Sequence, residues 1–506
     1  MRSTFHGLET ARRGMTTQQT ALNVLGHNIA NANTPGYTRQ RVDFVQTEPY
    51  PPASINRPEI PGQMGTGVEA GEIQRIRDRF LDIQYRSENS KLGYWESRAE
   101  ALSRMEDIMN EPSDSGLSST IDAFWKSLED LAVDPSNSGA RSVVRENGRS
   151  VAQAFNYIAS SLQATQQDFK DKLDHSIDEI NTLATLLNNV NQQIAEVEPH
   201  GLIPNDLYDE RDRLLDQISN LANIEVSYTS SGGHAPPTAD GIATVTLVDD
   251  SGNSLGTLVD TSGNVNALTI NYNATNGLAE SIDFDGNTIG VDGGFASTGS
   301  IRSLIDSYGY TDGTSKEGVY PDMIKKIDDM AYAFATEFNN VHQSGWNVND
   351  IDAGTQTPVN FFEALTNPEG AAALLQLSAE IEASTDNIAA SATGQLGDGG
   401  NAVALAEVKN NALTIDGETT NLQDYYEGVI GEMAVISKES IVFTNNVGLL
   451  LSTAEENRLS VSSVSLDEEF TNMIKFQHAY NASARNITTI DEMLDRVING
   501  MGIVGR

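Results

Sequence analysis

The stretch "SLDEEFTNMIKFQHAYNASARNITTIDEMLDRVINGM" (465–501) carries a hydrophobic line at Leu466, Phe470, Met473, Phe476, Tyr480, Ala484, Ile487, Ile490, Leu494, Val497 and Met501. Ten steps cover 35 residues, a mean of 3.5, which is the period of a coiled-coil seam on one long helix. Ser465 with Glu468 three residues later reads as a capping box opening that helix. Gly500, Gly502 and Gly505 mark its end.

The other end of the chain answers it. Phe5, Leu8, Ala11, Met15, Leu22, Leu25, Ile29 and Ala32 recur at near-heptad steps, with Gln18 in the one long gap. This helix of roughly 30 residues runs into "NIANANTPGYTRQ" (28–40). Asparagine is a poor helix residue and a good terminator, and Pro35–Gly36 is a strong stop. Asn31, Asn33, Pro35, Gly36 and Tyr37 therefore form an elaborate corner, whose short polar side chains can satisfy the last helix carbonyls. Arg39 and Arg41 stand where an acidic neighbour could pair with them. Each seam needs a partner, in this chain or another, so the termini are expected to fold upon assembly.

The chain has 506 residues, enough for two to four domains, and a formal net charge of −39. A surface this acidic argues against nucleic-acid binding. Residues 1–45 carry five Arg against two acids, and residues 460–506 carry four basic against six acidic residues, so the charge resides in the middle. Cysteine is absent, which excludes disulfides and thiolate sites. No apolar run approaches the roughly 18–20 residues of a membrane span. No cleavable secretory signal is legible in residues 1–31, a pattern read by default as cytoplasmic.

Between the termini, helical periodicity predicts helices over 74–110, 116–133, 140–198, 205–222, 318–343 and 422–450. A second capping box, Thr453 to Glu456, is expected to open the approach to the last helix. The Pro-rich 49–61 and "PGQMGTGVEAGEI" (61–73) read as an extended linker and turn. Two windows lack Lys and Arg, from Leu214 to Ile301 and from Ile327 to Val408. The first holds "GIATVTLVDDSGNSLGTLVD" and "ALTINYNATNGLAESIDFDGNTIGVDGG", alternating runs split by turn residues, which is β-hairpin chemistry. The second is loop-rich and either completes a β-domain or caps the bundle. The fold class is thus multidomain and mainly α. Residues 1–45 with 460–506 form a terminal coiled-coil domain. Residues 46–228, 303–345 and 405–459 form a helical body. Residues 229–302, with or without 346–404, form an inserted β-rich domain whose removal should leave the body folded.

The sequence offers no enzymatic motif. The seven histidines (6, 27, 175, 200, 234, 342 and 478) show no paired-ligand spacing, and nucleophile-elbow and phosphate-loop patterns are missing. "DFDGNTIGVDGG" and "NVNDIDAG" fail the calcium-loop pattern, lacking its sixth-position Gly and twelfth-position Glu. Acidic pairs abound because acids abound. The aromatic set Phe470, Phe476 and Tyr480 has packing spacing. No enzyme activity, cofactor or metal is expected.

"ALNVLGHNIANANTPGYTRQ" (21–40) resembles the N-terminal signature of the bacterial flagellar axial proteins, the rod, hook and hook-associated proteins. "VSLDEEFTNMIKFQHAYNASARNITTIDEMLDRVI" (464–498) resembles their C-terminal signature, and "GTGVEAGEIQRIRDRFLDIQYR" (65–86) extends the likeness towards the hook-associated members. The resemblance implies an extracellular structural protein of the flagellum, packed as a ring of subunits. Hook protein would lie below it, and a second junction protein and flagellin above. It implies terminal helices paired around the central channel, with the corner turning the chain outwards and the β-domain facing out. It also implies type III export without a cleaved signal, and a cytoplasmic chaperone on the C-terminal helix beforehand. Competing readings are another rod or hook protein, or a flagellum-borne surface protein with an adhesive or enzymatic outer domain.

Overall fold

A computed structural model describes residues 5–55, 62–109, 113 and 116–500. The helix expected at the N-terminus, α1, spans Phe5–Ala30, and the last, α13, spans Leu466–Gly500. Met501, Gly502 and Gly505 of the sequence reading lie outside the described residues. Between α1 and the body come two strands: β1 (Gln40–Gln46), where the sequence predicts no element, and β2 (Val68–Arg75), most of which falls in the stretch 61–73 expected to be linker and turn. They pair antiparallel from Gln40↔Arg75 to Gln46↔Val68, with an irregularity between Val42 and Phe44. Part of the Pro-rich segment, 56–61, lies outside the described residues.

The body is built on α2 (Arg79–Met109), α3 (Leu117–Val133), α4 (Ser138–Val197) and α5 (Asn205–Leu221). At 60 residues, α4 is about 90 Å long. Asn137 caps it by accepting from the N–H groups of Gly139 and Ala140. Val144, Val151, Phe155, Ile158, Leu162, Phe169, Leu173, Ile177 and Ile180 line its buried face. Phe124, Phe155, Phe334 and Phe338 meet in an aromatic cluster between α3, α4 and α7 (Val319–Ser344).

Strands β3 (Ile224–Thr229), β4 (Ile242–Val248) and β5 (Ser254–Val259) form an antiparallel meander. A second sheet joins β6 (Thr269–Tyr272), β7 (Ala279–Phe284) and β8 (Asn287–Gly290), with short β9 (Tyr310–Thr311) and β10 (Lys316–Glu317) after helix α6 (Ser300–Tyr308). The hairpin chemistry of 241–294 is therefore realised. These strands do not keep a core of their own, however. Val245, Leu247, Leu258, Val259 and Ile282 belong to the same buried cluster as Leu183, Leu187, Val190 and Ile194 of α4. Asn191 and Asn181 of α4 also grip strand backbone, each accepting an N–H and donating to a carbonyl, at Ala243 and Leu268. The expectation that this segment could be removed without consequence is corrected accordingly: its loss would strip an apolar face of α4.

The window 346–404 contains α8 (Val348–Ala353), α9 (Ala371–Leu374), α10 (Ala379–Ala383) and the start of α11 (Gly400–Glu407). It packs on the helical bundle. Phe361 and Phe362 lie against Phe124, Phe334 and Phe338, and Gly148 of α4 leaves room for Phe361, whose ring would stand 2.6 Å from an added Cβ. A small hairpin, β11 (Leu413–Ile415) and β12 (Glu418–Thr420), leads into α12 (Leu422–Ser462). α12 lies along α2, with Trp95 stacked on Phe443 at 4.5 Å. It is longer than predicted and contains Thr453, whose hydroxyl donates to the Leu449 carbonyl inside the helix. The proposed capping box at 453–456 is thus absorbed into a continuous helix.

Candidate assembly interface

α1 and α13 run antiparallel in contact. A Cβ on Gly7 would stand 3.2 Å from Ile490, and one on Gly14 would stand 3.2 Å from Ser483. Seven residues further, Ala21 shares a small apolar cluster with Phe476, and another seven on, Asn28 hydrogen-bonds Glu469 at 3.1 Å. The contact line is thus Gly7, Gly14, Ala21 and Asn28 against Ile490, Ser483, Phe476 and Glu469. Small residues on α1 let the two helices approach closely.

On α13 the line includes Phe476 and Ile490 of the predicted seam, whereas on α1 that seam lies one residue round from it. Leu8, Met15, Leu22 and Ile29 each follow a contact residue by one position, and all four are half-buried beside it. Leu25 is buried and Phe5 is exposed. On α13, Met473, Phe476, Tyr480, Ala484, Ile487, Ile490 and Leu494 are half-buried, whereas Leu466, Phe470 and Val497 are exposed. The back of α1 rests on the β1–β2 ribbon. Thr17 donates to the Val68 carbonyl, and Val24 packs with Val42, Ala70 and Ile73.

The corner after α1 is a knot of hydrogen bonds. Asn31 donates from its side chain to the His27 carbonyl, closing the last turn, and the Thr34 hydroxyl donates to the Asn31 side-chain oxygen. Gly36 takes a left-handed φ of 81°, and its outer side faces Arg213. Asn33, Pro35 and Gly36 are exposed, while Asn31 and Tyr37 are half-buried. The Tyr37 hydroxyl reaches back to Asn28 Oδ1 at 2.8 Å, and burial pushes its pKa up.

Asn28, fully buried, is the centre of the knot. Its oxygen accepts from Tyr37 and from the Gln40 N–H, and its amide donates to the Gln40 carbonyl and to Glu469. Glu469, also buried, accepts from Arg39 Nε at 2.7 Å, and Arg39 pairs with Glu468 at 2.9 Å. The Arg39 N–H donates to the Ser462 carbonyl at the end of α12. Four segments (α1, β1, α12 and α13) meet here. Glu468 is therefore engaged with Arg39, and the acidic neighbours expected for Arg39 belong to the same chain. Arg41 pairs with Asp43 on the surface.

A second polar centre joins this terminal unit to the body. α5 presents Asp206, Asp209, Asp212 and Asp216 towards it. Arg75 of β2 meets Asp209 and Asp212 at 2.8 Å and Asp240 at 2.7 Å. Arg77 forks onto Asp82, Arg86 bridges Asp212 and Asp216, and Arg458 of α12 reaches Asp216 and lies over the Tyr85 ring. Thr38 donates its N–H to Asp209, and Gln40 its amide to Asp206. Burial opposes ionisation of Asp212, but Arg77, Arg75, Arg211 and Arg86 outweigh it and hold its pKa far below the usual carboxylate range. Charges this deep are fixed in geometry because every one is paired. The sequence reading missed this centre. Its visible trace is "QRIRDR" (74–79) facing "DERDRLLDQ" (209–217).

No group of three or more His, Asp or Glu side chains among the described residues is placed to hold a metal ion. No helix is long and apolar enough to cross a membrane among the same residues.

A model of the flagellar hook-associated protein FlgK helical domain matches residues 102–362. The flagella basal body rod protein model matches 8–38, and the FlgEFG rod C-terminal model matches 455–500. These last two segments are the ones that the structure pairs. Flagellar hook-associated protein 1 of Bacillus subtilis (strain 168) is 46% identical over 513 residues, covering 100% of both chains. The chain belongs to the flagellar hook-associated protein 1 family. The namesake from Escherichia coli (strain K12) is 23% identical over 97% of this chain and 99% of its own. The solved structure of the flagellar hook junction protein FlgK from Burkholderia pseudomallei superposes with a TM-score of 0.59, at 12% identity, over 75% of this chain and 100% of that one. That likeness shows the shared fold.

Proposed function

We propose that the chain is a structural joint of the bacterial flagellum, set as a ring of subunits between hook and filament, on which flagellin then assembles. Hook protein would lie below the ring, and a second junction protein and flagellin above. The observation that carries this reading is the α1–α13 pair, locked at one end by Asn28, Glu469 and Arg39. Two far ends of one chain are thereby made into a single rod-like element suited to axial packing. Phe5, Leu8, Met15, Leu22, Leu25, Ile29 and the 31–37 corner, with the α13 line from Leu466 to Val497, form that element. The family membership supports the same role.

In this reading residues 1–45 and 460–506 are the inner unit, the helical body is the next layer, and 229–302 faces outwards. The chain leaves the cell without a cleaved signal, and a cytoplasmic chaperone covers α13 beforehand. Its work is assembly, with neither catalysis nor cofactor. Immunogold labelling of flagella from cells carrying this chain tests the reading. Label confined to the hook–filament boundary is expected, together with loss of filaments, but not of hooks, on deletion. Label along the filament or on the cell body would overturn it.

A further inference from the structure

The α13 residues that face α1 are already engaged within the chain, so a neighbour must use another face. Ile474, two residues before Phe476, and Arg485, two residues after Ser483, lie about 200° round the helix from the α1 contact line. On that outer face Ile474 is 57% exposed, and Phe470, on the flank about 100° from the contact line, is 49% exposed. The charge of this stretch is also anomalous. From Phe470 to Ile490 there is Lys475 and Arg485 and no acid at all, in a chain of net charge −39. The arginines at the base of the terminal unit are paired: Arg39, Arg75, Arg77, Arg86 and Arg458 all meet carboxylates. Lys475 and Arg485 have no acidic partner among the described residues.

We infer that the outer face of α13, centred on Ile474, Lys475 and Arg485, is the surface on which a second copy of this chain docks, its cations meeting that copy's carboxylates. The inference rests on the ring reading above and names the contact within it. Charge complementarity selects the occupant. An acidic copy is repelled by most of this molecule and attracted to this basic, apolar strip. The same helix also offers exposed Asp491, Glu492 and Asp495 just beyond the basic stretch, so a copy displaced along the axis brings carboxylates beside Arg485.

Because the chain contains no cysteine, single-cysteine variants Ile474→Cys and Arg485→Cys report on this face without background. In the purified monomer both thiols should react freely with a maleimide, since both positions are exposed. In purified flagella containing the variant, the reaction should slow at least tenfold, and a short bis-maleimide or maleimide–amine linker should join two copies of this chain. Lys475→Glu with Arg485→Glu should leave the monomer's circular dichroism and melting unchanged while incorporation into flagella falls at least tenfold. Undiminished thiol reactivity in flagella, cross-links solely to a different protein, or wild-type incorporation of the double charge reversal would overturn the inference. Absence of the wild-type chain itself from purified flagella would overturn the ring reading, and this surface with it.

Discussion

Asn28 and Glu469 stand 441 positions apart in the chain and share a 3.1 Å hydrogen bond in a site closed to solvent. One carboxamide there satisfies two backbone groups of Gln40, the Tyr37 hydroxyl and a buried carboxylate. A buried polar group that is fully bonded fixes geometry, because any other arrangement leaves a donor or acceptor unmade. The Asn-Pro-Gly-Tyr corner is long because it terminates a helix, starts a strand and receives the other terminus within a dozen residues.

Replacing Asn28 with Ala should therefore destabilise the terminal unit far more than the same change at Asn31. The first leaves Glu469 and Tyr37 without their shared partner, at about 1–3 kcal/mol. The second removes only local bonds at the exposed end of the helix, to the His27 carbonyl and from the Thr34 hydroxyl, at about 1 kcal/mol or less. Hydrogen exchange read by mass spectrometry checks this: peptides from α1 and α13 should open in Asn28→Ala and stay protected in Asn31→Ala.

Gly14→Leu should part the two terminal helices. The added side chain meets Ser483, whose Oγ already lies 3.2 Å from where a Cβ would be, and overpacking of this kind costs about 1–3 kcal/mol. Gly26, which has nothing within 4 Å of an added Cβ, is the control. Gly26→Ala should raise helix stability by up to about 1 kcal/mol. Limited proteolysis should cut the first variant within α1 and spare the second.

The heptad of α13 and the ends of α3, α4 and α5 were legible in the sequence because large apolar residues recur there with helical period. The α1 contact line was not. Gly7, Gly14 and Ala21 carry too little apolar surface to register, so the periodicity points to Leu8, Met15 and Leu22 next door. β1 and β2 were missed because "VEAGEIQR" (68–75) alternates weakly, and its Gly71 is needed where Val45 approaches to 2.7 Å of an added Cβ. The charge centre was invisible for a different reason. Arg75 or Asp212 alone reads as a solvated surface residue, and only tertiary packing buries both.

Asp212→Asn should destabilise the protein by about 3–5 kcal/mol, because it leaves Arg75, Arg77 and Arg86 short of one buried counter-charge. Arg213→Ala, which removes an exposed pair with Glu210, should change stability by no more than about 1 kcal/mol. Urea unfolding of the two variants makes the comparison. Equal effects would remove Asp212 from the centre assigned to it.

His342 supplies a pH signature for the body. It is fully buried, with Nδ1 towards the Val359 carbonyl and Nε2 accepting the Ala389 N–H, and burial pulls its pKa from 6.5 down to about 4. Between those values the unfolded chain takes a proton that the folded chain refuses. Stability from this group is therefore complete above pH 6.5 and declines as pH falls towards 4, by about 3 kcal/mol in all. His342→Gln should flatten that part of the stability–pH curve, whatever its effect at neutral pH.

The most direct test of the terminal pair as the assembly element is the double variant Ile487→Glu with Leu494→Glu. Both side chains are half-buried on the α1 side of α13, and burying unpaired carboxylates there costs several kcal/mol. The body's apolar cluster does not include either residue, so the melting transition of the body should persist. The measurement is an immunoblot of flagellin in cells, culture medium and sheared filaments, with the variant chain itself detected outside the cell. The account predicts hooks without filaments and flagellin shed into the medium. Normal filaments on cells carrying only the double variant would contradict it.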